Sequence, residues 1–247
     1  MVKNYRRKFN LNMLGLIETK KAVLTKFEVV QLWGNDAVRW EFVGAESASG
    51  GLLLMWDETV FKMNNCYKGD RWLCVDGVLL KNNFLCAFCL VYGAHAREEK
   101  LVVWEELSFL SGLCQVPVCY LRDFNEVTQV VEERKGAGSL TVSAVEFKSW
   151  IQDMELVDLP LTDRTFTWFR GQSCSRIDRV LVTRMGGGPR PFRSLDSWFS
   201  HEGFLRMVKE EWRNLGDIQF MDKLKGLTIP LGKWHKQNFG NMDMRIK

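Results

Sequence analysis

The chain has 247 residues, of which 46% are hydrophobic and 26% are charged, with a formal net charge of +4. This composition argues against disorder throughout, because the aromatic fraction of 12%, including 10 tryptophans, can supply a large core. A membrane-spanning helix is not expected either, because the longest apolar run, Phe84 to Ala94, has 11 residues and a spanning helix needs about 20. The length allows one large domain or two small ones.

The excess positive charge lies in the C-terminal part of the chain. Residues 186–247 carry 11 basic and 7 acidic side chains, whereas residues 1–185 carry 23 of each. A basic segment of this kind is typical of nucleic-acid contact, and equally of a solvated helix face. The basic N-terminus leads into no apolar segment, so no signal peptide is expected.

Hydrophobic periodicity predicts short strands mixed with a few helices, which indicates an α/β or α+β body followed by a helical tail. A turn at Lys81-Asn82-Asn83 joins two of the predicted strands. In chain order we expect a helix over 3–14, strands over 14–17, 51–56, 71–80 and 84–92, a helix over 97–110, a strand over 116–121, a helix over 143–154, strands over 165–169 and 176–182, and helices from Trp198 onward.

The helix over 143–154 has the clearest pattern. Ser143 and Glu146 have the spacing of a capping box, and apolar residues recur at i, i+3, i+4 and i+7 from Phe147. Further on, Phe204, Val208 and Trp212 share one helical face, and apolar residues from Leu224 to Trp234 share another. The Gly-Gly-Gly-Pro sequence at 186–189 is the expected linker between a body, 1–185, and the tail, 186–247.

The seven cysteines favour free thiols over disulfides or zinc. Their number is odd, and a chain of this length needs no disulfides to fold. Cys86 and Cys89 form a CxxC pattern, but they lie in a predicted strand, where residues three apart face opposite sides. We therefore expect buried free cysteines rather than a metal site.

Acidic residues and one asparagine stand where predicted strands end or begin. Glu18 follows the strand at 14–17, Asp123 and Asn125 follow the strand at 116–121, and Asp178 lies within the strand at 176–182. Carboxylates gathered at one edge of a sheet suit a hard cation such as Mg²⁺. The same residues are equally compatible with structural salt bridges, so the pattern alone leaves both interpretations open.

Longer sequence motifs carry a more specific signal, because they occur together and in order. The motifs are LGLIETK (14–20), SGGLLLMWD (49–57), VYGAHAREEKLVVWEEL (91–107), DFNEV (123–127), ELVDLPLTDRTFTW (155–168) and SRIDRVLV (175–182). Together they resemble the endonuclease domain of non-LTR (long interspersed) retrotransposons, especially the type abundant in plant genomes, a branch of the endonuclease/exonuclease/phosphatase superfamily. RPFRSLDSWFSHEGF (190–204) and LGKWHKQNFGNM (231–242) resemble the segment that joins the endonuclease to a reverse transcriptase.

The resemblance implies a four-layer α/β sandwich, two mixed β-sheets packed face to face with helices outside, and a C-terminal helical extension. It implies Mg²⁺-dependent hydrolysis of DNA phosphodiesters, with Mn²⁺ as a substitute, which nicks one strand to prime reverse transcription. DNA would be the partner, in the nucleus or the cytoplasm. By resemblance, Glu18 would bind the metal, Tyr92 would contact the scissile phosphate, Asp123 would orient or deprotonate the attacking water, Asn125 would hold the phosphate, and Asp178 would pair with a catalytic histidine.

The chain departs from the family pattern at three places. The first family strand, with its WNxRG-type motif, has no counterpart, so the fold is expected to be incomplete. The SDHxP motif that supplies the catalytic histidine is missing after Met185, and Ser200-His201 belongs to the joining segment instead. Arg122 stands where the family has glycine, which can allow a positive φ.

Three hypotheses follow. The favoured one is a degenerate fragment of a retrotransposon endonuclease with little or no activity. The alternatives are an active Mg²⁺-dependent nuclease or phosphodiesterase with a rearranged site, and a non-catalytic remnant that binds nucleic acid through its basic tail.

Overall fold

The structure is a computed structural model that describes residues 2–45, 50–130, 139–184 and 201–216, together with residues 198, 226–227, 230–231, 233–234 and 237–238. The helices are α1 (Val2–Phe9), α2 (Lys26–Trp33), α3 (Arg97–Cys114), α4 (Val142–Asp153) and α5 (Phe204–Asn214). The strands are β1 (Met13–Ile17), β2 (Val38–Val43), β3 (Leu52–Asp57), β4 (Phe61–Lys68), β5 (Trp72–Leu79), β6 (Phe84–Tyr92), β7 (Val118–Asp123), β8 (Leu156–Asp158), β9 (Trp168–Arg170), β10 (Ser173–Ser175) and β11 (Asp178–Thr183).

The strands form two main sheets. The larger has six strands in the order β4-β5-β6-β7-β11-β8, the smaller has three in the order β1-β3-β2, and β9 and β10 form a separate hairpin. The pair β6 and β7 is parallel and the other pairs are antiparallel. Helix α3 connects β6 to β7, as a parallel pair requires, because its connection must cross the sheet.

The two sheets pack face to face, with helices outside. Between them lies a core that includes Trp56 of β3 and Leu90 of β6. On the outer face of the three-stranded sheet, Val29 and Trp33 of α2 pack against the other side of β3, on a core that includes Leu53.

Helices α3 and α4 cover the outer face of the six-stranded sheet. The rings of Trp104, Phe147 and Trp150 stack on one another there, with centroid separations of 5.4, 5.9 and 6.4 Å. The layer order is therefore helix, sheet, sheet, helix. The expected four-layer α/β sandwich with flanking helices is confirmed, but among the described residues only the six-stranded sheet is mixed, and the three-stranded sheet is wholly antiparallel.

The predicted free cysteines are also confirmed, since all seven are free. Cys86 lies in the core between the sheets and Cys89 lies in the core beneath α3 and α4. The two thiols therefore face opposite sides of β6, as the alternation of a strand requires, and cannot share a metal ion.

Several predicted boundaries are wrong. Helix α1 ends at Phe9 instead of residue 14, because Asn10 adopts a positive φ of 48° and terminates it. The predicted strand over 165–169 begins only at Trp168. The predicted capping box is also wrong: Thr141 is the N-cap of α4 and accepts a hydrogen bond from Ala144 N at 3.1 Å, whereas Ser143 lies inside the helix with its hydroxyl buried.

Five elements were not predicted from the sequence, namely α2, β2, β4, β8 and β10. Helix α2 carries a capping box formed by Thr25 and Glu28, so its N-terminal signal was present. Strand β4 contains an irregularity between Met63 and Asn65, which interrupts the period-two pattern that identifies a strand.

The C-terminal part contributes a further core against α3. Trp198 lies edge-on to Phe109 of α3, with the ring centroids 5.2 Å apart, and Phe204 of α5 joins this cluster. Helix α5 confirms the helix expected around Phe204; the linker at 186–189 and Leu224 lie outside the described residues. Among the described residues, no helix is both long enough and apolar enough to cross a membrane.

Candidate functional site

The expected site residues meet at one end of the sandwich. Tyr92 is the last residue of β6 and lies opposite Asp123, the last residue of β7, in the parallel register. Asp178 begins β11 and lies opposite Asp123 on its other side. The three side chains therefore occupy adjacent strands at one edge of the six-stranded sheet.

Glu18 reaches this edge from the other sheet. It follows β1 with a positive φ of 52°, and the backbone then turns so that Thr19 N–H donates to Gly51 O. The Tyr92 hydroxyl donates a hydrogen bond to Glu18 Oε1 at 2.7 Å, which joins the two sheets. Burial and this bond raise the pKa of Tyr92 to about 12, so the phenol stays a hydrogen-bond donor at neutral pH.

Asp123 has the electrostatics of a site residue. Burial raises its pKa to about 6, and the negative charges of Asp178 and Glu18 act in the same direction. The hydrogen bond from Asn125 N, at 2.7 Å, and the charge of Arg122 oppose this shift only in part. A carboxylate with such a pKa can exchange a proton near neutral pH, as a general base must.

Asn125 is held from both sides. Its Nδ2 donates to Gly93 O at 2.7 Å. Lys100 Nζ donates to Asn125 O at 2.8 Å and to Glu126 Oε2 at 2.7 Å, in an ion pair that is almost completely buried. Gly93 is required at its position, because a Cβ atom there would lie 2.4 Å from the backbone of Phe124. The loop after β7 is therefore rigidly placed.

Lys100 and Glu126 were not predicted as site residues. In the sequence, Lys100 is one of several charged residues on helix α3, and Glu126 is one of two acidic residues in DFNEV. No spacing rule predicts a pair between residues on separate elements. Their pairing becomes evident only when α3 packs against the loop after β7.

Asp178 has no histidine partner among the described residues. Its backbone N–H donates to Thr167 Oγ1 at 3.0 Å. Of the three histidines, His95 lines a cleft beside Glu18, His201 packs against Trp234 with ring centroids 5.0 Å apart, and His235 lies outside the described residues. The described part of the chain thus brings together the acidic half of the expected site.

A cleft of about 1030 Å³ opens beside the Tyr92–Glu18 hydrogen bond, and Lys68, Arg71 and His95 are among its lining residues. Arg71 was not singled out from the sequence. It precedes β5 and its carbonyl accepts a hydrogen bond from Tyr92 N–H at 2.8 Å. Counting back from the turn at 81–83 would have placed Arg71 opposite Tyr92, because turn length fixes the register of a hairpin. The cleft therefore combines acidic and basic groups.

The donor set fits Mg²⁺. Glu18, Asp123 and Asp178 offer only oxygen ligands, and their mutual repulsion raises the pKa of Asp123. The described residues contain no group of three or more His, Cys, Asp or Glu side chains that could enclose a metal. Magnesium tolerates this, because it commonly binds one or two carboxylates and keeps several waters.

Arg122 occupies a strained position. Its φ is 89°, in the region that glycine adopts without penalty. Glycine, which the endonuclease family resembled by the sequence motifs has at this position, would adopt this φ without strain. The side chain is exposed, and its charge favours the ionised form of Asp123.

Known structures share this fold at low sequence identity. The AP endonuclease LMAP from Leishmania major is 13% identical, with a TM-score of 0.57, covering 74% of this chain and 72% of that chain. The endonuclease domain of TRAS1, a telomere-specific non-LTR retrotransposon, is 11% identical, with a TM-score of 0.52, covering 74% and 77%. An endonuclease/exonuclease/phosphatase family protein from Bacteroides thetaiotaomicron is 15% identical, with a TM-score of 0.50, covering 74% and 72%.

No protein-family model matches the chain, and no curated protein matches it. At these identities the structural likeness establishes the fold alone. The chain shares its fold with these three proteins, one of which is described as an endonuclease/exonuclease/phosphatase family protein and another as a retrotransposon endonuclease domain.

Replacing the buried carboxylate should stabilise the protein at neutral pH. Because the folded-state pKa of Asp123 is about 6 against an ordinary 3.8, its contribution is favourable below pH 4 and is lost as the pH rises through 6. Asp123→Asn keeps the oxygen that accepts from Asn125. Its free energy of unfolding should exceed that of the wild type by about 1–2 kcal/mol at pH 7.5, after allowance for solvent screening, and by nothing near pH 4.

Urea unfolding at both pH values measures this difference. Asp163→Asn, at an exposed carboxylate, is the matched control and should change stability by less than about 0.5 kcal/mol. A loss of stability in Asp123→Asn at pH 7.5 would assign Asp123 to a structural ion pair and contradict the account.

Relieving the strained φ should also stabilise the protein. Arg122→Gly removes a strain of about 1–3 kcal/mol and adds a backbone entropy cost of about 0.5–1 kcal/mol, so a net gain of about 1 kcal/mol is expected. Arg122→Ala removes the same charge but keeps the strain, and should show no such gain. Equal unfolding midpoints for the two variants would show that φ at position 122 carries no strain.

Proposed function

We propose that this chain is an altered copy of a Mg²⁺-dependent DNA endonuclease of a non-LTR retrotransposon, which retains the metal and phosphate half of the site and cleaves DNA slowly or not at all. The observation that carries the proposal is the meeting of Glu18, Tyr92, Asp123 and Asn125 at one end of the sandwich, with Tyr92 and Glu18 joined at 2.7 Å across the two sheets. Residues 1–185 form the endonuclease part in this proposal, and residues 186–247 the segment that leads to a reverse transcriptase.

Each side chain has a role that its surroundings support. The Tyr92 phenol, with its pKa of about 12, remains protonated and donates a hydrogen bond to a phosphate oxygen as readily as to Glu18. Asp123 orients a water molecule and accepts its proton, since its pKa lies near 6. Asn125, whose Nδ2 bonds Gly93 O, keeps its side-chain oxygen available to order that water.

Glu18 and Asp123 would hold Mg²⁺, which when bound offsets negative charge on the phosphate. The carboxylates themselves repel a phosphodiester. DNA binding at this end of the sandwich therefore depends on a cation that is bound to them or lies beside them. Lys68 and Arg71 line the adjoining cleft, where they pair with Glu41 and Glu99 at 2.8 and 2.9 Å. The cleft therefore adds no net positive charge of its own, and a bound cation would supply the attraction for a phosphate.

The low rate follows from the histidines. Among the described residues, neither His95 nor His201 is hydrogen-bonded to Asp178; His95 lines the cleft beside Glu18, and His201 packs against Trp234. The lack of one general acid or base typically lowers a rate by about 10²–10⁴. Asp123 alone would then supply the acid–base chemistry.

The proposal draws further support from the named neighbours, because an AP endonuclease and a retrotransposon endonuclease domain both act on nucleic acid. The basic excess of residues 186–247 agrees with a nucleic-acid partner. DNA binding without cleavage would be the remaining activity if hydrolysis is fully lost.

The test separates metal binding from hydrolysis. Isothermal calorimetry should detect Mg²⁺ binding by the wild type, with at least a tenfold loss of affinity in Glu18→Gln and Asp123→Asn. Glu98→Gln, at an exposed carboxylate on α3, is the control and should bind as the wild type does. Nicking of a supercoiled plasmid in Mg²⁺ should proceed no more than marginally faster with wild-type protein than with Asp123→Asn.

Two results would contradict the proposal. Folded wild-type protein that binds no Mg²⁺ at millimolar concentration would remove the metal site. Efficient nicking that disappears in both Glu18→Gln and Asp123→Asn would show a complete active site. The proposed loss of hydrolytic activity would then be wrong.

A further inference from the structure

Strand β1 has one unpaired edge among the described residues. It lies at the end of the three-stranded sheet, paired only with β3. Asp57 N–H donates to Asn12 O, and this bond sets the phase of the antiparallel ladder. Met13, Gly15 and Ile17 therefore direct their N–H and C=O groups away from β3. They offer a ladder of hydrogen-bonding groups to a further strand.

An apolar ledge lies beside this edge, on the inner face of the six-stranded sheet. On β7 and β11, Val118, Tyr120 and Leu181 face the core beneath α3 and α4, so the intervening residues face the other way. These intervening residues, which we call the ledge, are Cys119 and Leu121 of β7 with Val180 and Val182 of β11. All four are half-buried, and none belongs to a core formed by the described residues.

The unpaired edge of β1 and the ledge form two sides of one slot between the sheets. Strand β1 packs over β6, so closely that a Cβ atom at Gly15 would lie 2.5 Å from Leu90 Cδ1. The next position in the three-stranded sheet therefore lies over β7 and β11. Packed sheets stand about 10 Å apart, which leaves room for a single layer of backbone above the ledge.

A second copy of the whole chain does not fit this slot. A two-fold axis perpendicular to the sheet would pair the β1 edges but would drive the two six-stranded sheets into each other, because each extends beyond β1. A two-fold axis along the strands would place α2 of one copy on the ledge of the other. The occupant must therefore be a strand that extends from its own fold.

The far end of the slot is acidic. Asp123 continues the row of Cys119 and Leu121, and Asp178 continues the row of Val180 and Val182, because alternate residues share a face. The two carboxylates lie directly opposite each other. An occupant that carries a basic residue at this end would gain charge complementarity.

We propose that the β1 edge and the ledge bind an extended segment of a partner polypeptide, which adds a fourth strand to the three-stranded sheet. The segment has apolar residues at alternate positions toward the ledge and a basic residue beside Asp123 and Asp178. This mode of recognition takes its affinity from main-chain hydrogen bonds and its specificity from alternate side chains. It covers apolar surface that the described residues leave half-buried.

The probe is a synthetic capped peptide, acetyl-Thr-Val-Thr-Val-Thr-Lys-Thr-amide, whose two valines and lysine share one face. Amide hydrogen exchange of the full chain is measured by NMR with and without millimolar peptide. The amides of Met13, Gly15 and Ile17 should exchange at least tenfold more slowly with peptide. The amides of Leu14 and Leu16, which already bond to β3, should change little.

Variants of both partners sharpen the test. Met13→Pro removes one edge donor at a place where an edge strand tolerates proline, and Leu121→Lys places a charge on the ledge; each should abolish the protection. Leu85→Lys, at an exposed residue at the far end of β6, is the matched control and should retain it. Peptides with proline in place of the threonine at their third position, or with glutamate in place of lysine, should protect at least tenfold less.

Three outcomes would overturn the proposal. The peptide could give no protection in the folded wild type. The amides of Met13, Gly15 and Ile17 could be protected before peptide is added, which would assign the slot to this chain itself. A dimer that dissociates in Met13→Pro would assign the edge to a second copy.

Discussion

The packing of β1 over β6 determines where the candidate site lies. Gly15 allows the two sheets to approach at Leu90, and this contact fixes how far β1 extends along β6. Glu18 consequently ends beside Tyr92, and a 2.7 Å hydrogen bond joins them. A larger residue at position 15 would meet the Leu90 side chain, which would have to move within the core between the sheets. The placement of Glu18 beside Tyr92 therefore goes together with an apolar contact between the two sheets.

At the end of the sandwich that carries Asp123, features that suit a reactive site lower the stability of the fold. Burial of Asp123, aided by the negative charges of Asp178 and Glu18, raises its pKa to about 6, and Arg122 keeps a φ of 89° beside it. A fold selected for stability alone would pair these charges and place glycine at 122. The buried Lys100–Glu126 pair acts in the opposite direction, because it holds the loop that carries Asn125. Unrelieved repulsion held by a rigid frame is typical of a site that awaits a cation.

Much of the fold was predictable from sequence, because fully apolar strands such as β3 and the turn between β5 and β6 have strong local signals. The end-of-strand positions of Glu18 and Asp123 were predictable for the same reason. Pairings between separate elements, such as Lys100 with Glu126, depend on tertiary packing and leave no local pattern. The N-cap of α4 was misassigned to Ser143 because two hydroxyl residues lie within its first turn, and the spacing to Glu146 favoured the wrong one over Thr141.

The central claim is that Glu18 from one sheet and Asp123 from the other form a single electrostatic site for Mg²⁺. The most direct measurement is an NMR titration of the ¹³C-labelled Asp123 carboxyl group, in wild type and Glu18→Gln, with and without Mg²⁺. The account predicts an apparent pKa of about 6 in the wild type. That pKa should fall when Glu18 is neutralised and fall further in the wild type when Mg²⁺ is added. An ordinary pKa near 3.8 that responds to neither change would contradict it.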